Sequence, residues 1–231
     1  MKVLRLFGRI LLVLILLFLA YQLWVLGHVL WWRDHNPSDT AFMDEQRDVL
    51  QTKDPKAELK HEWVPYERIS PNLKRALIAG EDAKFLDHEG FDWEGIQAAW
   101  EKNKKKGRIT AGGSTISQQL AKNLFLSGRR SYIRKFEEAT ITVMLEHILD
   151  KRRILEIYLN VIEWGNGVFG AEAGARHYYG TSAASLNEAQ AARMAAMVPN
   201  PRFYDTHRNS KSLQRRTAII LRRMDYADIP D

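Results

Sequence analysis

The sequence predicts a mainly α-helical domain preceded by one transmembrane helix, and three observations support this prediction. Residues 10–32 form a run of 23 residues that contains no Lys, Arg, Asp or Glu. Beyond about residue 61, apolar residues recur at spacings of three and four, which is typical of amphipathic helices. Alternating polar and apolar runs, which favour strands, are scarce. The 231 residues leave room for one domain of ordinary size with an appendage.

The uncharged run is long enough to cross a membrane. As a helix it would span about 34 Å, whereas the hydrocarbon core of a bilayer is about 30 Å thick. Three basic residues precede the run, namely Lys2, Arg5 and Arg9. Only Arg33 follows closely, beside Asp34, so the positive-inside rule places residues 1–9 in the cytoplasm and the rest of the chain outside.

A cleaved signal peptide is the alternative interpretation, because residues 10–20 resemble the apolar core of such a peptide. However, no small-x-small cleavage motif follows, and the apolar run continues for twelve more residues. Trp24, Trp31 and Trp32 also fit an aromatic belt at the outer interface of the membrane. These features favour an uncleaved anchor at residues 10–32, a polar stalk at 33–60 and a folded domain at 61–231.

Composition excludes some classes of protein. The chain has no Cys, so it contains neither a disulfide framework nor a thiolate metal site. Half of the formal charge of +6 comes from the first nine residues, which leaves the remainder only weakly basic. This distribution argues against nucleic acid as a partner.

The segment "SPNLKRALIAGEDAKF" predicts the first helix of the domain, with Ser70 as N-cap and Pro71 at the first helical position. Within the overlapping stretch "GEDAKFLDHEG", Glu81, Phe85 and His88 are spaced i, i+4 and i+7. This spacing predicts that the three side chains lie on one side of a continuous helix. A carboxylate beside an aromatic ring is unexpected there, because acids on a solvated helix should face away from the apolar side.

Three further helical runs follow. Residues 132–165 predict a long helix with a break near Leu149–Asp150, residues 186–201 predict a helix stopped by Pro199 and Pro201, and Lys211–Met224 predicts the last helix.

The Gly-rich stretch "GRITAGGSTISQQLAKN" at residues 107–123 misses a phosphate-binding P-loop, because Gly113 stands where that motif requires its lysine. A substrate-binding loop and an ordinary loop followed by a capped helix both remain open. The basic run "KNKKKGR" at residues 102–108 is more typical of a solvated face, although it would also suit an anionic membrane surface.

Five segments in order, "EDAKFLDHEG", "GGSTISQQLAKN", "RKFEE", "KRRILEIYLN" and "RMAAMVPNP", closely resemble the signature blocks of the peptidoglycan glycosyltransferases, glycosyltransferase family 51. The resemblance covers about residues 61–205, and Ser117 stands where the family more often has Thr. It implies a helical, lysozyme-like lobe, a small membrane-associated jaw subdomain and a cleft between them. It also implies polymerisation of lipid II into β-1,4-linked glycan with inversion and release of undecaprenyl diphosphate. The S-x-x-K and K-T-G motifs of a transpeptidase are absent from the sequence, which indicates the monofunctional form.

The resemblance also implies a set of site residues. Glu81 matches the general base and Glu138 the second catalytic glutamate. Lys122 and Arg134 match basic groups near the diphosphate. The other matches to substrate-binding positions are Asp82, Phe85, His88, Thr115, Gln119, Asn123, Lys151 and Arg193. For Lys151 and Arg193 a structural role is at least as well supported. "RKFEE" alone would be read as an Arg134–Glu138 surface ion pair.

Cofactors, partners and location follow from the same resemblance. The sequence requires no cofactor and shows no metal-ligand cluster, but it leaves open a divalent cation, Mg²⁺ or Mn²⁺, bridged by the substrate. The expected partners are lipid II, the growing strand, the membrane and other proteins of cell-wall synthesis and division. The expected location is the inner membrane, with a single pass and an extracytoplasmic domain. Desolvation in the cleft should raise the pKa of Glu81. A lytic glycan hydrolase, with Glu81 as general acid, and a non-catalytic membrane scaffold remain as alternatives.

Overall fold

The protein is mainly α-helical, as predicted. The computed structural model describes residues 2–108, 112–127 and 131–231. Within them, the helices in chain order are α1 Lys2–Trp31, α2 Ala41–Gln51, α3 Pro71–Glu81, α4 Trp93–Lys106, α5 Ile116–Phe125, α6 Tyr132–Ile148, α7 Lys151–Val161, α8 Ala171–Tyr179, α9 Glu188–Met197, α10 Pro201–Thr206 and α11 Lys211–Arg223. Short 3₁₀ turns lie at Tyr66–Arg68, Ala183–Ser185 and Met224–Tyr226.

A small sheet of three short strands, β1 Lys60–His61, β2 Glu163–Gly165 and β3 Val168–Phe169, supplements the helices. The strand order is β1-β3-β2, with β1 parallel and β2 antiparallel to β3. Lys60 pairs with Val168, so the segment before the domain is tied to the turn after α7. The sequence prediction was wrong here, because it continued the α7 helix through Gly165.

The domain core is one cluster that includes the fully buried side chains Phe85, Tyr158, Trp164 and Phe169. In it, α3 packs against α9 and α11, and α5 packs against α6 and α7. The last residue of α3 therefore lies beside α5 and α11, which is where the candidate site is found.

The predicted helix boundaries hold at several points. Ser70 caps α3 by accepting a bond from the Asn72 backbone N–H, and Pro71 is the first helical residue. The break at Leu149–Asp150 is present, because Leu149 is extended and the Asp150 carboxylate caps α7 at the Arg153 N–H.

The apolar helix α1 meets the length and composition of a membrane span over Val3–Trp31. Its C-terminal part packs on the domain, where Val25, Val29 and Trp32 are buried. The ring of Phe125 on α5 lies 5.1 Å from that of Trp32. The predicted aromatic belt is thus wrong for Trp32, whereas Trp24 and Trp31 are exposed.

The segment predicted to be a polar stalk, residues 33–60, contains the helix α2. Thr40 caps it at the Met43 N–H, and the Met43 side chain is buried. The ring of Phe42 lies 5.9 Å from that of Phe169. The apolar residues of α2 lie near its two ends, at 41–43 and 49–50, and the tertiary contacts reveal that the helix packs on the domain.

The exposed helix α4 was not predicted. Its last turn carries Lys104, Lys105 and Lys106, which favour a helix C-terminus, and Gly107 ends it in the left-handed conformation. All three lysines are exposed, in agreement with the interpretation of this basic run as a solvated face.

Candidate active site

Glu81 is the last residue of α3, and the chain leaves the helix at Asp82. The prediction of a continuous helix carrying Glu81, Phe85 and His88 is therefore wrong. The Asp82 carboxylate accepts two hydrogen bonds of 2.9 Å, one from the backbone N–H of Ile116 and one from a ring nitrogen of His88. These tertiary bonds replace further helical turns and fold residues 82–90 back against the start of α5.

The two carboxylate oxygens of Glu81 have different surroundings. Its side chain is only 10% exposed. Oε2 accepts a hydrogen bond of 3.1 Å from the Gln119 amide on α5, and the Gln119 oxygen accepts one of 2.8 Å from the Tyr158 hydroxyl on α7. Oε1 is buried and accepts no hydrogen bond from the residues that the structure describes. One oxygen is thus fixed through three helices, and the other keeps its acceptor capacity unused within the described residues.

Burial raises the pKa of the Glu81 carboxyl above its ordinary value, and the neighbouring Asp82 adds to this. The Gln119 hydrogen bond and the cations Arg216 and Lys122 act in the opposite direction without cancelling the effect of burial. The expected direction of the pKa shift is confirmed. Its cause is a tertiary pocket rather than the apolar stripe of a helix.

A buried polar network holds the loop after α3. The Lys151 ammonium donates to the His88 carbonyl at 2.6 Å and to Glu146 at 2.9 Å, and it lies 4.7 Å from the centre of the Phe85 ring. Phe85 itself is fully buried. The contacts of Phe85, His88 and Lys151 thus position the loop that follows Glu81.

The interpretation of a loop followed by a capped helix is confirmed at Thr115. Its hydroxyl accepts a hydrogen bond from the Gln118 N–H and donates one of 2.7 Å to the Gly90 carbonyl, while the Thr115 N–H donates to Oε1 of Gln118. Thr115 therefore joins α5 to the loop after Glu81. Residues 109–111 of the Gly-rich stretch lie outside the described residues.

Glu138 on α6 is buried, and its ion-pair partner is Lys135. The predicted surface ion pair between Arg134 and Glu138 is therefore wrong. Glu138 points inward, and its ion pair is with Lys135, which precedes it by three residues on α6. The Nε of Arg134 is buried and has no partner among the described residues, so it is available as a donor. Lys135 also lines a cavity of about 270 Å³ with Ser114 and Trp100.

The remaining expected residues divide into two groups. Lys122 lies on α5, one turn beyond Gln119, and interacts electrostatically with Glu81. Asn123 beside it is buried. Arg193 on α9 donates to the Arg208 carbonyl, where it lines a separate cavity of about 120 Å³ with Tyr178. These contacts support a structural role for Arg193.

Sequence reasoning missed four groups around the two glutamates, namely Lys135, Glu146, Tyr158 and Arg216. Tyr158 is fully buried in the core, and its hydroxyl also orients Gln119. Lys135 stands within a quoted block and could have been found from its i, i+3 spacing to Glu138. Arg216 lies on α11, outside all five blocks, and no sequence signal indicates it.

Comparison with known proteins shows the family of the chain. The transglycosylase family model matches residues 46–225, which is most of the chain. The chain belongs to the transglycosylase family. It is therefore a glycosyltransferase, as the five blocks predict. The match begins inside α2, ahead of the domain start predicted at residue 61.

Relatives of nearly equal length extend this result. A biosynthetic peptidoglycan transglycosylase of Chromobacterium violaceum is 67% identical over 226 residues, covering 98% of this chain and 99% of that protein. One of Laribacter hongkongensis is 68% identical over 217 residues, covering 94% and 95%. One of Dechloromonas aromatica is 65% identical over 231 residues and covers both chains fully.

Proposed function

We propose that this glycosyltransferase polymerises lipid II into the β-1,4-linked glycan strands of peptidoglycan, with Glu81 as general base. The relatives named as biosynthetic peptidoglycan transglycosylases support the substrate class. The observation that carries the role of Glu81 is its buried carboxylate, in which Gln119 fixes Oε2 while no described residue donates a hydrogen bond to Oε1. A general base needs such an oxygen within reach of the proton that it removes.

In the proposed step, Glu81 Oε1 removes the proton from the 4-hydroxyl of the N-acetylglucosamine of lipid II. The hydroxyl oxygen bonds to C1 of the N-acetylmuramoyl unit that ends the strand, and the bond from C1 to the diphosphate breaks. A single displacement at an α-linked donor gives a β-linkage, so configuration inverts. Undecaprenyl diphosphate leaves with the bonding electrons.

The raised pKa of Glu81 assists this step. A carboxylate that binds a proton more tightly is a stronger base, provided that it is ionised at the working pH. The cations that oppose the effect of burial keep the ionised form accessible. Gln119 and Tyr158 contribute orientation, because their chain of bonds holds the plane of the carboxylate.

The leaving diphosphate needs positive charge and hydrogen-bond donors. We assign this part to Lys122 on α5 and to Arg134 on α6, whose buried Nε has no partner in the described chain. We assign Glu138 to the side of the site that binds the donor sugar. Its ion pair there holds Lys135 beside the cavity that Ser114 also lines. Asp82, His88 and Thr115 hold the loop and helix that carry these groups.

Among the residues that the structure describes, no group of three or more Asp, Glu or His side chains is placed to bind a metal ion. The carboxylate of Glu138 is already paired with Lys135. We therefore propose that Mg²⁺ or Mn²⁺, where it takes part, reaches the site only as a counter-ion of the substrate diphosphate. No step of the proposed reaction passes through it.

We further propose that α1 anchors the enzyme in the inner membrane with its N-terminus in the cytoplasm and its domain outside. The apolar span and the basic residues before it support this orientation. Both substrates carry polyprenyl chains, so anchoring confines the enzyme to the surface where they lie. The product serves the cell wall and cell shape, together with the proteins that cross-link the strands.

The test is polymerisation of lipid II by the full-length protein in detergent, with products separated by size, beside Glu81→Gln. We expect long glycan from the wild type and almost none from the folded variant. A Glu81→Gln variant that still polymerises would remove Glu81 as the base. Cutting of preformed strands without polymerisation would instead support a lytic enzyme, and full activity of both Glu81→Gln and Glu138→Gln in cells would support a scaffold.

A further inference from the structure

The helix α11, outside the five sequence blocks, brings a cation to the free oxygen of Glu81. The guanidinium Nη2 of Arg216 lies 3.6 Å from Glu81 Oε1. Its Nε donates to the Ala196 carbonyl of α9 at 3.2 Å, which fixes the guanidinium between the two helices. The distance to Oε1 is too long for a hydrogen bond but short enough for an ion pair.

Close packing of α11 on α3 places Arg216 there. Ile220 is one turn after Arg216 on the same side of α11. A Cβ added to Gly80 would lie 2.9 Å from Cδ1 of Ile220, so the two helices are in close contact at this point. Gly80 directly precedes Glu81, and the close contact and the ion pair are therefore neighbours.

Other groups around Glu81 differ from Arg216 in position or charge. Among the described residues, five polar or charged groups face Glu81. They are Gln119 and Lys122 on α5, Tyr158 on α7, Arg216 on α11 and the adjacent residue Asp82. Gln119 and Tyr158 are neutral, and Asp82 repels a second negative charge. In the proposed reaction Lys122 serves the diphosphate, and the ion pair seen at Oε1 is the one with Arg216.

We propose that Arg216 is a positioning residue for the acceptor step, which keeps Glu81 ionised and directs its Oε1 towards the incoming sugar hydroxyl. This inference rests on the proposed role of Glu81 as general base. The side chain of Arg216 is 39% exposed, so solvent screens its charge in part.

The test is the pH dependence of kcat/KM for lipid II polymerisation by full-length Arg216→Gln. Loss of a nearby cation disfavours the carboxylate, so the pKa of Glu81 should rise and the acid limb of the profile should move to higher pH. We expect a shift of about one pH unit, which is about a tenfold loss of rate on the acid side. Activity should recover as the pH is raised.

Two further variants complete the test. Arg215→Gln is the matched control, because Arg215 is the exposed neighbour on α11 and donates to the Lys211 carbonyl of its own helix. It should leave the acid limb in place. Arg216→Lys keeps the charge and should place the limb nearer to that of the wild type than Arg216→Gln does.

An acid limb that Arg216→Gln leaves unchanged, or a loss of rate that is equal at every pH, would overturn the inference. If Arg216→Gln does not fold, a uniform loss of rate in folded Arg216→Lys overturns it, and a limb close to that of the wild type supports it. Failure of the proposed base is a separate result, because it appears as activity in Glu81→Gln. An inactive Glu81→Gln with an unmoved limb in Arg216→Gln rejects Arg216 alone.

Discussion

At the scale of single residues, the site depends on how the Glu81 carboxylate is surrounded. The side chain is buried, yet within the described parts of the chain Oε2 alone receives a hydrogen bond, from Gln119. Burial of a charge without full hydrogen bonding is costly, and this cost is expressed as the raised pKa. A general base benefits from the same environment. Activity and stability therefore make opposite demands on this residue.

This conflict predicts that Glu81→Gln is more stable than the wild type at pH 7. A carboxyl whose pKa is raised on folding binds more protons in the folded state than in the unfolded state. Its contribution to stability therefore falls as the pH rises above 4.5, the ordinary pKa of the carboxyl. The neutral amide has no such dependence. Thermal unfolding in one detergent should give a higher Tm for Glu81→Gln at pH 7, with the difference shrinking towards pH 4. A lower Tm for the variant at pH 7 would contradict this account.

At the scale of elements, the loop at residues 82–90 is held by buried side chains rather than by its own backbone. Asp82 accepts bonds from Ile116 and His88, and Lys151 joins His88 to α6 through Glu146. The loop, α5, α6 and α7 thus form one polar unit beneath Glu81. Asp82, His88 and Lys151, which stand in the family blocks, hold the loop through these contacts.

Asp82→Ala should therefore lower stability and activity together. It leaves the Ile116 N–H and the His88 ring without their buried acceptor, which costs about 1–3 kcal/mol for each unsatisfied group. We expect the free energy of unfolding, measured by denaturant titration, to fall by that order, and polymerisation to fall strongly.

The matched control is Asp87→Ala, because Asp87 lies in the same loop and is exposed. Surface substitutions of this kind usually change stability by less than about 0.5 kcal/mol. Equal losses of stability in the two variants would show that the buried acceptor is not what holds the loop.

At the scale of the whole molecule, the anchor and the domain form one packed structure. The C-terminal part of α1 buries Val25, Val29 and Trp32, and the Arg153 side chain on α7 donates to the Trp32 carbonyl at 2.9 Å. This fixes the direction in which the helix leaves the domain. The site is therefore held at a defined height relative to the apolar span.

Trp32→Ala should destabilise the full-length protein by about 3 kcal/mol, in the range measured for large-to-small changes at buried aromatic positions. Trp31→Ala is the control, because Trp31 is adjacent and 59% exposed. Unfolding of both variants in the same detergent measures the difference. Similar stability of the two would mean that α1 is a tether without structural contribution.

Local signals in the sequence were sufficient for much of the fold. Ser70 and Pro71 mark the start of α3, and Asp150 marks the start of α7, because caps and proline act through neighbouring backbone groups. The same reasoning failed at Asp82 and in α2. There the deciding contacts come from residues distant in the chain, which a local period does not register.

The sequence by itself determined that the chain has an apolar span, is mainly helical and carries Glu81, Lys122, Arg134 and Glu138 in the order of a glycosyltransferase. Each of these properties is encoded in composition or in short motifs. Only the tertiary structure decided which oxygen of Glu81 is free and which cation faces it, because Arg216 is 135 residues away along the chain and reaches the site only when α11 packs on α3.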